Sequence, residues 1–196
     1  MIKPPTYNPK AILAKKTKFC AFVYNHHVPF RDLFFKQLCS YKRVDSPGTV
    51  RNNMDPMLGH KTTKEARYTA NWCQEKIKFL QPYKFVICFE HSLFPGYTSE
   101  KLYHAMLANC IPIYWGNPLV HRDFNTKSFI NAHDLPSEDK EGLYNRITNF
   151  VKAVDTNPNL HLRLLSEPWY NNNELNEFVD PKNVISFFEK IFNGEI

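Results

Sequence analysis

Residues 83–116 read YKFVICFEHSLFPGYTSEKLYHAMLANCIPIYWG, a strand–loop–helix–strand unit. Residues 83–89 are a nearly continuous apolar run, which is typical of a strand buried on both faces. The loop that follows ends at Thr98 or Ser99, and either residue is a suitable N-cap for the helix behind it. The apolar run at 111–115 predicts the next strand of the same sheet.

The same alternation continues on both sides of this unit. Residues 18–24 and 128–132 predict two more strands, and a helical stretch begins at Pro29. Further helices are predicted over residues 64–80 and 138–154 and from Pro181. Apolar strands that alternate with helices predict an α/β fold, a Rossmann-like parallel sheet with helices on both faces. Such sheets bind ligands beyond the carboxyl ends of their strands, so residues 91–99 are the candidate binding loop.

The remaining segments carry weaker signals. Residues 1–16 contain three prolines and no apolar period, so we expect a linker or tail there and one domain over residues 17–196. Residues 44–62 and 157–180 are polar or rich in turn residues, and we expect irregular structure in both. The terminal helix, residues 181–193, carries an apolar stripe that we expect to be exposed in the isolated chain. The stripe consists of Val184, Ile185, Phe188 and Ile191.

The composition excludes several classes of protein. Apolar residues make up 43% of the 196 residues and charged residues 22%, values of a globular domain and not of a disordered chain. No stretch approaches the ~18 consecutive apolar residues of a membrane span, and no signal peptide is visible. We therefore expect a cytoplasmic, bacterial-type protein, or a Golgi protein if the chain is a fragment of an anchored eukaryotic one.

The charge of +6 favours an anionic partner. The basic residues are scattered and no recognition motif is present, so we do not expect nucleic-acid binding. The sequence lacks a P-loop and a G-x-G-x-x-G fingerprint. It also lacks a C-x-x-C pair, so no metal site is expected.

The helix start after the 91–99 loop has the chemistry of a sugar-nucleotide site. Backbone N–H groups at a helix start attract phosphate, and Lys101 adds a positive charge there. Glu100 can accept paired hydrogen bonds from the hydroxyls of a ribose or hexose, and Tyr97 offers a ring face and a hydroxyl. The alternative is an ordinary capped helix, for which glutamate in the first turn is routine.

The segment FEHSLFPGYTSEK, residues 89–101, resembles the donor-binding signature of the α-1,3/1,4-fucosyltransferases, glycosyltransferase family 10. Other segments are similar to that family in the same order and at the right spacing, so that the resemblance covers residues 17–155. They are KFCAFV (18–23) with Arg31, YKRVDSPG (41–48), IPIYWG (111–116) and FNTKSFIN (124–131).

The resemblance implies two facing Rossmann-like domains, of which this chain is the C-terminal, GDP-fucose-binding one. It implies inverting transfer of fucose to an N-acetylglucosamine-containing glycan, with GDP-fucose as donor substrate and no metal or other cofactor. By motif position, Arg31 and Lys101 contact the diphosphate, and replacing Lys101 by alanine is expected to weaken GDP binding at little cost in stability. The implied donor-binding residues are Arg31, His91, Ser92, Tyr97, Glu100 and Lys101.

Two departures from the family pattern qualify this implication. Position 91 is His where the family has Asn, which changes a hydrogen-bonding side chain of the binding loop. The family's general base and acceptor site belong to an N-terminal domain, which about 16 residues before the first strand cannot supply. The catalytic residue is therefore unassigned, and a partner domain or chain is expected. A non-catalytic GDP-sugar-binding or interaction module is the alternative function.

Overall fold

The computed structural model describes residues 2–55, 71–135, 137–175 and 180–195. Its strands form a single parallel sheet in the order β2-β1-β3-β4-β5, which confirms the predicted α/β class. The strands are β1 (Lys18–Ala21), β2 (Val44–Asp45), β3 (Tyr83–Phe89), β4 (Ile111–Trp115) and β5 (Ile130–Asn131). The helices are α1 (Pro9–Ala14), α2 (Pro29–Cys39), α3 (Trp72–Leu80), α4 (Glu100–Leu107), α5 (Lys140–Thr156), α6 (Pro158–Ser166) and α7 (Pro181–Phe192).

Strand β3 is the centre of the sheet and is buried on both faces. Phe85 lies opposite Cys20 of β1 on one side and opposite Ile111 of β4 on the other. Phe85 and Ile87 pack in the core that α2, α5 and α6 cover, whereas Val86 packs in the core that α3 and α4 cover. Apolar burial on both faces explains the continuous apolar run of β3, and it confirms the prediction of helices on both sides of the sheet.

Two strands are shorter than predicted. β1 ends at Ala21 and not at residue 24, because the chain beyond it turns to meet the loop after β2. The carbonyl of Tyr24 accepts a hydrogen bond from the N–H of Val50 (3.2 Å). A Cβ atom at Gly48 would lie 2.1 Å from that carbonyl oxygen, so only glycine allows this approach. β5 is confined to residues 130–131, because a 3₁₀ turn (Thr126–Ser128), capped by Asn125, precedes it.

The structure contains elements where irregular chain was predicted. The short strand β2 lies within the segment 44–62, and α6 lies within 157–180, where the Asn157 side chain caps it. α1 lies in the segment predicted to be a linker or tail. The ammonium of Lys3 is buried against the backbone carbonyls of Leu165 and Glu167 at the end of α6, so this segment is packed on the domain. The prolines and polar residues around these elements hid them, because each element is short and its few buried apolar residues, such as Leu164 and Leu165 of α6, do not form a long periodic pattern.

The other helix predictions differ mainly at their ends. α5 begins two residues later than predicted, at the Asp139 cap, and continues to Thr156. α3 begins at Trp72, and the earlier part of the predicted 64–80 helix up to residue 70 lies outside the described residues. α7 confirms the terminal helix to within a residue, and the predicted apolar stripe on it is exposed to solvent. No helix in the described ranges has the length and apolar character needed to cross a bilayer.

Helix α2 provides a matched test of the core. Leu38 is fully buried, whereas Leu33 on the same helix is exposed. We expect Leu38→Ala to lower the free energy of unfolding by about 2–5 kcal/mol, because it removes buried methyl groups and leaves a cavity. Leu33→Ala should change it by less than about 1 kcal/mol. Urea unfolding of both variants measures the difference, and equal losses would contradict the placement of α2.

His161 on α6 predicts an acid-sensitive fold. Its ring is buried 5.5 Å from the ring of Phe85, and neither ring nitrogen has a hydrogen-bond partner within the described residues. Burial lowers the pKa of His161 from 6.5 to about 4. Between these values the unfolded chain binds the proton first, so stability should fall as the pH drops from about 6.5 towards 4. His161→Leu should make unfolding less pH-dependent in this window, as measured by urea unfolding at about pH 4.5 and about pH 7, and an unchanged pH dependence would contradict the burial of this ring.

Candidate functional site

The candidate site lies at the carboxyl edge of the sheet, where the loops after β1, β3 and β4 meet. The loop after β3 runs from Glu90 to Ser99 and leads directly into α4. Ser99 has extended backbone angles, and its hydroxyl accepts the N–H of Lys101 at 3.5 Å. Ser99 is therefore the N-cap that the sequence predicted, and the first turn of α4 points its N–H groups towards this edge.

A buried carboxylate organises the loop. Glu90 follows β3 directly and its side chain is 0% exposed. Its carboxylate accepts hydrogen bonds from the backbone N–H of Ser99 (2.8 Å) and from the Ser99 hydroxyl (2.8 Å to Oε2). The ammonium of Lys101 lies 3.0 Å from the same carboxylate. A buried charge is tolerated only with such partners, so these contacts fix the start of α4 against the end of β3.

Gly116, at the end of β4, makes room for this carboxylate. A Cβ atom at position 116 would lie 2.4 Å from Cγ of Glu90, which is closer than real Cβ contacts. The backbone N–H of Glu90 also donates to the carbonyl of Trp115 (2.8 Å). The Trp-Gly pair that ends β4 is thus part of the support of the loop after β3.

Lys101 is held in place by two contacts, and within the described residues one of its three N–H donors is left for a ligand. Its Nζ lies 3.0 Å from Glu90 and 2.8 Å from the hydroxyl of Ser99. An ammonium carries three N–H donors, so these two contacts leave one. The side chain is 20% exposed, so this third donor has access to a ligand at the edge.

Arg31 is placed at the same edge through Tyr24. Its guanidinium lies 4.1 Å from the ring centroid of Tyr24, and Nη2 donates to the carbonyl of His26 (2.9 Å). The Tyr24 hydroxyl lies within hydrogen-bond distance of the carbonyls of Ile87 (2.9 Å) and Phe89 (3.0 Å) at the end of β3. Burial holds the pKa of Tyr24 far above its usual value, so the hydroxyl stays a donor. This chain of contacts ties Arg31 to the strand that carries Glu90.

Glu100 is the first residue of α4 and is partly exposed. Its Oε1 lies 3.7 Å from Nζ of Lys76, a buried lysine of α3. Burial alone would raise the pKa of Glu100, but the charges of Lys76 and Lys101 outweigh it and hold that pKa below its usual value. The carboxyl group is therefore an anion at neutral pH. Lys76 carried no recognisable signal in the sequence.

The other predicted residues lie on the exposed part of the loop. His91, Ser92 and Tyr97 are all exposed to solvent. Asn117, which was not predicted from the sequence, holds this loop through two side-chain hydrogen bonds. Its Oδ1 accepts the N–H of Gly96 (2.8 Å) and its Nδ2 donates to the hydroxyl of Thr98 (3.1 Å). The one available signal was its place directly after the Trp-Gly pair, at the carboxyl end of a strand.

A cavity of about 740 Å³ opens beside α4. Of the six predicted donor-binding residues, Glu100 lines this cavity, and Arg31, His91, Ser92, Tyr97 and Lys101 do not. The cavity wall also includes aromatic side chains, Tyr103, Phe124 and Tyr170. Glu100 therefore stands between two features, the cationic edge with Lys101 and Arg31, and an aromatic-walled cavity.

The fold and the motifs around the site are those of a glycosyltransferase domain. The family model "Glycosyltransferase family 10 (fucosyltransferase) C-term" matches residues 13–185, and the chain belongs to this family. Within the described residues, no group of three or more His, Cys, Asp or Glu side chains is arranged to hold a metal ion.

Relatives and solved structures agree with this assignment. The chain is 32% identical over 185 residues to the α-(1,3)-fucosyltransferase FucT of Helicobacter pylori, covering 92% of this chain and 34% of that protein. It is 26% identical over 150 residues to GDP-fucose protein O-fucosyltransferase 3 of Danio rerio, covering 74% and 29%. The crystal structure of an α1,3-fucosyltransferase with GDP-fucose superposes with a TM-score of 0.69 at 29% identity, covering 94% of this chain and 48% of that one. The chain thus spans about a third of those two relatives and about half of the solved enzyme.

The Glu90–Lys101 ion pair changes the expectation, made from the sequence, that Lys101→Ala costs little stability. Lys101→Ala would leave the buried carboxylate of Glu90 without its cation, so we expect a loss of about 1–3 kcal/mol in unfolding free energy and not a negligible one. The double variant Glu90→Gln/Lys101→Ala should recover much of that loss, because the amide removes the unpaired charge. Urea unfolding of the single and double variants tests this. Additive losses would contradict a direct coupling between the two side chains.

Proposed function

We propose that this chain is the donor-binding half of an α-1,3-fucosyltransferase. It binds GDP-fucose at the carboxyl edge of the sheet and takes part in inverting transfer of fucose to an N-acetylglucosamine-containing glycan. The observation that carries the proposal is the cationic edge, where Lys101 is fixed by Glu90 at the start of α4 and Arg31 is tied to the same strand end.

The proposed chemistry follows from charge at this edge. As the bond between fucose and GDP breaks, the diphosphate gains negative charge, and donors already in position stabilise that charge without reorganisation. Lys101 supplies its third N–H, and the N-terminus of α4 supplies a favourable dipole. The Nε of Arg31 is buried without a hydrogen-bond partner within the described ranges. An anion beside the guanidinium would offset the cost of that unsatisfied donor.

The remaining predicted residues fit the sugar and ribose parts of the donor. Glu100 is an anion at the mouth of the cavity, and a carboxylate can accept hydrogen bonds from two neighbouring hydroxyls. Tyr97, His91 and Ser92 are exposed on the adjoining loop and have the hydroxyl and imidazole groups to complete such a site. We assign no metal and no further cofactor to the reaction.

We place the acceptor site and the general base in a part of the enzyme beyond the domain of residues 17–196. This chain spans about half of the fucosyltransferase solved with GDP-fucose. The exposed apolar stripe of α7 is the surface that we propose for contact with that other part. We propose the cytoplasm as the compartment of a bacterial-type enzyme. The general base remains unassigned among the residues of this chain.

A non-catalytic GDP-sugar-binding module would share the same edge and differ only in turnover. The two functions separate in an assay that follows GDP release from GDP-fucose with and without a glycan acceptor. Acceptor-dependent release by this chain, or by this chain with its proposed partner domain, supports the transferase. Tight binding of GDP-fucose without release under both conditions favours the binding module.

The charges at the cationic edge predict how substitutions there change the affinity for GDP. Lys101→Gln should weaken GDP binding about tenfold to a hundredfold, because one charged phosphate contact contributes about 1.5–3 kcal/mol. Glu90→Gln should weaken binding by less than Lys101→Gln, because it keeps the cation but weakens the contacts that hold it in position. Titration calorimetry with GDP and GDP-fucose measures both effects.

Two further variants serve as comparisons in this titration. Lys36→Gln removes an exposed cation from α2 and should not alter GDP affinity. Arg31→Lys keeps the charge but loses the planar group over Tyr24, and it should weaken binding less than Lys101→Gln. The absence of GDP binding by the wild-type chain at millimolar concentration would overturn the proposed donor site.

A further inference from the structure

Lys76 is a buried cation that the proposed chemistry has not used. Its side chain on α3 is only 7% exposed. Lysine is almost never buried without a partner, because removing its charge from water is costly. Its ion-pair partner within the described residues is Glu100, whose Oε1 lies 3.7 Å from Nζ. A residue of α3 thus reaches across to the first residue of α4.

The two members of this pair face opposite environments. The ammonium of Lys76 is enclosed by protein, and this burial lowers its pKa, whereas the charge of Glu100 acts in the opposite direction. The side chain of Glu100 is 56% exposed and lines the cavity. The groups that lower the pKa of the Glu100 carboxyl are Lys76, Lys101, its own backbone N–H and His104. Lys101 is already engaged by Glu90, and burial lowers the pKa of His104 to about 4, which leaves it neutral. Within the described residues, Lys76 is therefore the cation that forms an ion pair with Glu100.

We propose that Lys76 is a positioning residue, which orients the Glu100 carboxylate to accept both ribose hydroxyls of the GDP-fucose donor. This inference rests on the proposed function and extends it to a residue of α3. A glutamate side chain on the surface samples several rotamers, and fixing it on ligand binding costs entropy. A buried cation on one side removes part of that cost before the ligand arrives.

The test compares GDP with 2′-deoxy-GDP, which lacks one of the two hydroxyls. The wild-type chain should bind GDP about tenfold more tightly, as expected for one hydrogen bond to a charged group. In Lys76→Met this ratio should fall to about two or less, while the affinity for 2′-deoxy-GDP changes little. Glu100→Gln should give the same low ratio, and the double variant should lower it no further.

Two further variants distinguish positioning from a structural role. Lys76→Arg keeps the cation and should restore most of the discrimination between the two nucleotides. Lys78→Met changes an exposed lysine of the same helix and should leave the ratio at its wild-type value. Lys76→Met should still fold, because an apolar side chain of similar length replaces a buried charge.

The outcomes separate the inference from the function beneath it. If the wild-type chain binds GDP but Lys76→Met keeps the tenfold ratio, or weakens both nucleotides equally, the positioning role is overturned and the donor site stands. If the wild-type chain binds neither nucleotide, the donor site and this inference both fail. NMR titration of the Glu100 carboxyl carbon provides a check without ligand, since Lys76→Met should raise its midpoint and an unchanged midpoint would overturn the ion pair.

Discussion

A carboxylate without access to water lies at the end of the central strand, and the geometry of the candidate site depends on keeping it satisfied. Glu90 receives the backbone N–H and hydroxyl of Ser99 and the ammonium of Lys101. These contacts require that β3 and α4 meet at a fixed distance. The position of the cation at the helix start is therefore set by the fold, and a phosphate would meet a donor that is already in place.

The charged side chains at this edge form two ion pairs, and in each pair one side chain is buried and the other is more exposed to solvent. Lys101 is more exposed than Glu90, whereas Glu100 is more exposed than Lys76. The buried member of each pair fixes the member that faces solvent. One pair thus presents a cation and the other an anion within two successive residues of α4. Under the proposed function, the cation would suit the diphosphate of the donor and the anion would suit a pair of its hydroxyls.

The sequence predicted four of the five described strands, because apolar runs such as residues 83–89 record burial on both faces, and it missed the two-residue edge strand β2. It also predicted the Ser99 cap and the family, since several motifs lie in register. It could not predict α6 or α1, because Asn157 and the buried Lys3 contribute contacts that no periodicity reveals. Lys76 was hidden for a related reason, since its role depends on a tertiary approach between two helices.

The contact between positions 116 and 90 also constrains the order in which this sequence can change. A side chain at Gly116 would collide with both Cγ (2.4 Å) and Cβ (2.7 Å) of Glu90, so a shorter residue at position 90 removes the first collision and leaves the second. A shorter residue at 90 in turn leaves Lys101 and Ser99 without their shared acceptor. Loss of the glutamate therefore does not by itself make a side chain at position 116 tolerable, so the glycine should persist even in lineages that have given up the glutamate.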